Sequence, residues 1–133
     1  MRILITGGTG FIGRSLIKKF RQNKYKFFVL TRNKNLNKKN FIYIDRNLKK
    51  ASKKILNFKP TIIIHLATNF QKNHNFNQIP KMIEANISFG SKILELLKNK
   101  IKLFVNISSA YTSVNGKDYD PKDFYSSTKY GFE

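Results

Sequence analysis

Apolar positions along the 133 residues fall into two kinds of run that take turns along the chain. Short β-rich runs read as strands: "RILIT" at 2–6, "KFFVLT" at 26–31, "FIYI" at 41–44, "TIIIHLA" at 61–67 and "IKLFVNISS" at 101–109. The fourth is apolar almost throughout, as expected of a strand covered on both faces. Between them the apolar residues change to helical spacing. "FIGRSLIKKFRQN" places Phe11, Ile12, Leu16, Ile17 and Phe20 on one helix, and "LKKASKKILNF" turns Leu48, Ile55, Leu56 and Phe58 to the core before Pro60 stops it. The longest predicted helix is "IPKMIEANISFGSKILELLKNK". Strand and helix alternate with one weak segment, residues 33–40. The pattern predicts an α/β fold: a parallel, doubly wound sheet of about five strands. No repeat or linker interrupts it, so residues 1–133 are expected to form one domain, with surface loops at 69–78 and 111–123.

Composition narrows this picture a little. Apolar residues make up 41% of the chain and cysteine is absent, which excludes disulfides and thiolate metal sites. No apolar stretch reaches the length of a membrane span. The N-terminal apolar run breaks at Gly7, too early for a signal peptide. The expectation is a cytoplasmic protein. A formal charge of +19 would suit a nucleic-acid partner, but the basic residues run from Arg2 to Lys129 without a recognition module. "NKNLNKKN" and "FQKNHNFNQ" indicate a chain-wide drift toward Lys and Asn instead. The excess charge would still attract phosphorylated ligands.

The first chemistry lies in "TGGTGFIG", between the first strand and the first helix. Gly8, Gly10 and Gly13 have the G-x-G-x-x-G spacing, and Gly7 adds a further glycine. A dinucleotide needs this: a tight turn, backbone close to a pyrophosphate, and a helix N-terminus aimed at the charge. An NAD site usually carries an acidic residue at the end of the second strand. Here no Asp or Glu precedes Asp45, and that strand ends "VLTRN". A guanidinium at Arg32 could pair with a 2′-phosphate, so NADP is favoured over NAD, with a solvated Arg32 as the bland alternative. At the other end, "FYSSTKYGFE" sets Tyr125 and Lys129 four residues apart on one helix face. Free tyrosine titrates near pH 10, and a neighbouring cation favours its phenolate. His65 reads as a packed core histidine and His74 as a loop residue; no metal site is expected.

Taken together and in order, "TGGTGFIG", "FIYID", "IIIHLAT", "EANISFGSKILELL", "FVNISSAY" and "YSSTK" resemble the extended short-chain dehydrogenase/reductases, the NAD-dependent epimerase/dehydratase family acting on nucleotide sugars. The resemblance implies that Gly7, Gly10, Phe11, Ile12 and Gly13 surround the pyrophosphate. It implies that Asp45 and Arg46 face the adenine, and that Leu66, Ala67 and Thr68 line the cofactor. Asn86 matches the family's helix asparagine and is expected at the cofactor, and Ser109 matches the hydroxyl that meets the substrate oxygen. Tyr125 and Lys129 match its Tyr-x-x-x-Lys pair, with Lys129 also bonding the nicotinamide ribose.

Within that family, 4,6-dehydratases carry an Asp-Glu pair where this chain has Ala110 and Tyr111, so dehydration is disfavoured. The motifs look closest to 4-ketoreductases of CDP- or dTDP-linked deoxysugars, of the abequose or paratose synthase kind. A 4-epimerase uses the same Ser/Tyr/Lys set and stays open, as does a cofactor-binding module without turnover. The resemblance implies a sixth strand and a C-terminal substrate domain, neither of which is expected within 133 residues. It also implies a homodimer formed by pairing helices, in which the 79–99 helix could serve.

Overall fold

The computed structural model describes residues 1–36 and 39–133; of the weak segment 33–40, positions 37–38 lie outside the described residues. Five strands form one sheet: β1 (Arg2–Thr6), β2 (Lys26–Thr31), β3 (Phe41–Tyr43), β4 (Ile62–His65) and β5 (Leu103–Asn106). Their order is β3-β2-β1-β4-β5 and every pairing is parallel. The order reverses direction at β1, where a doubly wound sheet opens a crevice at the strand C-termini.

Helices cover both faces, because both faces of the strands are apolar. On one side, α1 (Phe11–Gln22) lays Ile17 and Phe20 against Ile3, Ile5, Phe27 and Val29. On the other, α2 (Lys49–Phe58) and α4 (Phe89–Leu96) bring Ala51, Ile55 and Ile93 onto Leu4, Leu30, Ile42 and Ile63. Phe11 and Ile12, at the first turn of α1, stay exposed at 85% and 54%, on the side of the glycine turn rather than in the core.

The long predicted helix is a continuous but uneven rod. It runs through α3 (Ile79–Ile83), a π-helical stretch (Glu84–Ser88) and α4, and stops at Leu96. The wider π turn brings Ala85 and Asn86 inward together. Such a turn survives only where side chains make up for its poorer backbone geometry. Here Asn86 is bonded through both its amide atoms, and Glu84 pairs with Lys92 at 2.9 Å across the irregularity.

The last helix, α5 (Phe124–Tyr130), has only seven residues, too few to persist alone. Asp123 caps it, its Oδ1 accepting from the Ser126 backbone N–H at 2.7 Å and the Ser126 hydroxyl at 2.6 Å. Desolvation raises the Asp123 pKa, but those bonds and the charges of Lys122 and His74 outweigh it, and the net shift is downward. Beyond the helix, Phe132 wedges into the sheet face, 5.3 Å from the His65 ring and 6.0 Å from Phe104 between centroids.

Gly90 on α4 makes room for this wedge, since a Cβ there would stand 2.3 Å from Phe132 Cζ. Gly90→Ala is therefore expected to destabilise the fold by about 1–3 kcal/mol through overpacking. Phe132→Leu should relieve much of that loss in the double variant. Urea unfolding of the four chains checks both; additive effects would contradict the contact.

Candidate active site

The glycine turn is built by close approach. Gly7 adopts φ +66°, and a Cβ there would lie 2.5–2.6 Å from Leu66 C and O and from Ala67 N. A Cβ on Gly13 would meet the Gly7 carbonyl oxygen at 2.5 Å. The turn therefore rests directly on the exit of β4, and the N-terminus of α1 opens at Gly10 with no side-chain cap and no acidic residue in its first turn. Uncapped N–H groups there suit an anion.

A cleft of about 630 Å³ lies over this turn. Gly7, Thr9, Gly10 and Gly13 form its floor, and Phe11 and Ile12 one lip. Leu30, Thr31, Arg32 and Asn33 close it at the end of β2, with Ile44 after β3. Leu66, Ala67 and Thr68 line it after β4, and Tyr125 and Lys129 reach it from α5. Among the described residues its side-chain charges are Arg32 and Lys129, and no carboxylate lines it. The group implied by the sequence, a dinucleotide, fits this arrangement: Gly7, Gly10 and Gly13 leave backbone bare of Cβ atoms where a phosphate would lie, Leu30, Ile44, Leu66 and Phe89 give apolar wall, and the charged lining residues, Arg32 and Lys129, are positive.

Tyr125 is 9% exposed and Lys129 3%. Phe70 packs edge-on against the Tyr125 ring at 4.9 Å between centroids. The phenol oxygen stands 3.4 Å from the Thr68 hydroxyl, which donates to Asn86 Oδ1 at 3.1 Å. Asn86 Oδ1 also accepts from the Asn69 backbone N–H at 2.7 Å, while its Nδ2 donates to the Thr128 hydroxyl at 2.9 Å. Thr128 in turn donates to the Tyr125 carbonyl at 2.7 Å. Asn86 thus ties the exit of β4 to α5 and holds Tyr125 in register; it does not itself line the cleft. Burial pulls the Lys129 ammonium below its ordinary pKa, against the opposing charge of Glu133.

Four other expected residues also stand outside the cleft lining. Gly8 packs toward Val29 and Ile17, where a Cβ would meet Val29 Cγ1 at 2.5 Å. Asp45 and Arg46 follow β3 in a turn where the Asp45 carbonyl accepts from the Leu48 N–H and the Arg46 carbonyl from Lys92 Nζ. Ser109 caps a 3-10 turn (Ala110–Thr112), its hydroxyl accepting from the Tyr111 N–H at 3.2 Å. Ser108 and Ile107 line the cleft in its place. Leu30 and Ile44 were within reach of sequence reasoning, since strand C-termini face the crevice. Phe89 and Ile107 were not, because their place depends on how α4 and β5 meet.

The sequence pattern of the NAD dependent epimerase/dehydratase family matches residues 3–132. A dTDP-D-glucose 4,6-dehydratase from Dictyostelium discoideum is 34% identical over 126 residues, covering 81% of this chain and 29% of that protein. Among solved structures, the Thermus thermophilus UDP-glucose 4-epimerase in complex with NAD superposes with a TM-score of 0.79 at 24% identity, over 99% of this chain and 48% of the other. The Bordetella bronchiseptica enzyme WbmG in complex with NAD and UDP gives 0.76 at 19%, over 98% and 47%. The chain spans about half the length of these structures and under a third of the dehydratase. At these identities the structural likeness speaks for the fold.

Beneath the cleft, His65 is 1% exposed and packed by Phe89, Phe104 and Phe132. Burial, and then the Lys129 charge, lower its pKa from 6.5 to about 4. The unfolded chain takes up this proton near pH 6.5, the folded chain only near 4. The neutral ring therefore contributes stability above pH 6.5 that is lost as pH falls toward 4, by about 3 kcal/mol. Urea unfolding across that window should show the decline in the native chain and a flatter profile in His65→Gln; equal slopes would contradict it.

Proposed function

Because the chain belongs to the NAD dependent epimerase/dehydratase family, we propose that it carries the cofactor-binding and proton-transfer half of a nucleotide-sugar oxidoreductase, most consistent with reduction of a 4-keto deoxysugar. The observation that carries this reading is that Tyr125 and Lys129 line the same cleft as the glycine turn. A nicotinamide dinucleotide, when bound, supplies the hydride. Holding the dinucleotide and moving the proton would fall to residues of this chain.

The α1 N-terminus and the bare backbone at Gly7, Gly10 and Gly13 would receive the pyrophosphate. Arg32, free of any carboxylate within ion-pairing distance among the described residues, would meet a 2′-phosphate, which supports NADP over NAD. Tyr125 would deliver its hydroxyl proton to the substrate oxygen as the carbonyl carbon is reduced. The Lys129 ammonium would stabilise the phenolate left behind and bond the ribose. Phe70, packed edge-on against the Tyr125 ring, would shield one flank of the phenol.

Dehydration fits less well, although the curated relative is a dehydratase. Eliminating water needs an acid and a base beside the sugar, and Ala110 and Tyr111 supply neither carboxylate. Epimerisation is the second reading, because the same tyrosine and lysine would serve it. It would use the same dyad and differ in product. The sugar and nucleotide would be held largely by residues beyond this half, in keeping with the chain's coverage of its relatives.

NADPH oxidation with CDP- and dTDP-4-keto-6-deoxysugars tests the proposal. Tyr125→Phe is expected to lower hydride transfer by about 10²–10⁴-fold while leaving dinucleotide affinity within about threefold. Binding of the dinucleotide by the native chain without turnover of any keto sugar would replace the reductase reading with that of a cofactor-binding module. Of the two serines, Ser109→Ala should slow reduction more than Ser108→Ala. The reverse order would move the oxygen-positioning role to Ser108, the serine that lines the cleft.

A further inference from the structure

Three residues in register on neighbouring strands interrupt the apolar sheet face beneath α5. Thr6 of β1 pairs with His65 of β4, and His65 with Asn106 of β5. Paired residues on parallel strands project to the same face. Two residues earlier, Leu4, Ile63 and Phe104 form an apolar row on that face. At the next level the side chains become hydroxyl, imidazole and amide. Burying such groups is costly unless they are bonded.

Part of the row is satisfied. Thr6 Oγ1 accepts from the Ala67 N–H at 3.1 Å and lies 2.9 Å from His65 Nδ1. Thr6 is wholly buried, and among the described residues His65 Nδ1 is the acceptor its own hydrogen can reach. That assigns the Thr6 proton to Nδ1 and leaves the neutral imidazole with its hydrogen on Nε2. Among the described residues, both His65 Nε2 and the two amide atoms of Asn106 are buried without a partner.

The helix above places Lys129 at this level. Tyr125 lines the cleft at the strand C-termini, and Phe132 stands over Phe104 and His65. Lys129 lies on the Tyr125 face of α5, three residues before Phe132, and near enough for its charge to act on His65. Its stem is buried, and among the described residues no hydrogen bond or ion pair holds its ammonium.

We propose that Thr6, His65 and Asn106 form a positioning row for Lys129, in which His65 Nε2–H, the Asn106 amide and the ammonium share one ordered water. The water accepts from His65 and Lys129 and donates to Asn106 Oδ1, which gives it three polar partners. The ammonium is thereby tethered to the sheet while its remaining hydrogens face the cleft. His65 touches neither substrate nor cofactor and acts through Lys129. The catalytic use of this tether rests on the proposed function; the network itself does not.

The test needs no turnover. Long-range 1H–15N correlation on the native chain should find His65 neutral with its hydrogen on Nε2 at pH 7; a hydrogen on Nδ1 would overturn the assignment. The Lys129 13Cε resonance, followed against pH, should show the ammonium titrating lower by about one unit in His65→Phe, which removes a hydration partner. His65→Gln, with an amide N–H near the Nε2 position, should restore the native titration. Asn106→Leu should shift Lys129 in the same direction as His65→Phe. An unchanged Lys129 in folded His65→Phe and Asn106→Leu would sink the proposal, whatever the chain does with a dinucleotide.

Discussion

The contact between the first turn and the exit of β4 governs the site. Gly7 sits so near Leu66 and Ala67 that any side chain there would collide with backbone, which cannot move aside without breaking the sheet. The approach does two things together. It exposes the α1 N-terminus to the crevice, and it sets Leu66–Thr68 beside the glycine floor. A left-handed backbone at Gly7 is the local condition for both.

From there the order passes to α5. A seven-residue helix with a single aspartate cap has little stability of its own. Its place is fixed from three sides: Asn86 through Thr128, Phe132 in the space left by Gly90, and the Asp123 cap. The π turn of the long helix belongs to the same arrangement, because it is where Asn86 leaves the regular helix face. Tyr125 and Lys129 arrive at the cleft as a consequence of these contacts, and the spacing of four residues alone would not have brought them there.

Much of this was legible in the sequence. The strand–helix alternation led to the five parallel strands and the helices on both faces, and "TGGTGFIG" led to the floor of the cleft. Residue types that must meet a backbone or a phosphate are dictated locally, so they can be read locally. What escaped the reading depends on long-range approach. Leu30, Ile44 and Phe89 line the cleft but read in the sequence only as apolar strand or helix positions, since periodicity reports a face and not what covers it. Asn86 was expected at the cofactor; it stands outside the cleft lining, as a strut between β4 and α5. Ser109 was expected to meet the substrate oxygen; it caps the 3-10 turn after β5, and its neighbour Ser108 lines the cleft. The polar row at Thr6, His65 and Asn106 appears only once strand register is known.

The account stands or falls on where a dinucleotide lies. Backbone amide shifts of the 15N-labelled chain, followed while NADPH or NADH is added, report this directly. The account predicts saturation at one equivalent, with the largest changes at Gly7–Gly13, Ala67, Thr68 and Lys129 and little change along α2. Absence of any saturable shift, or shifts confined to surfaces away from the glycine turn, would contradict it.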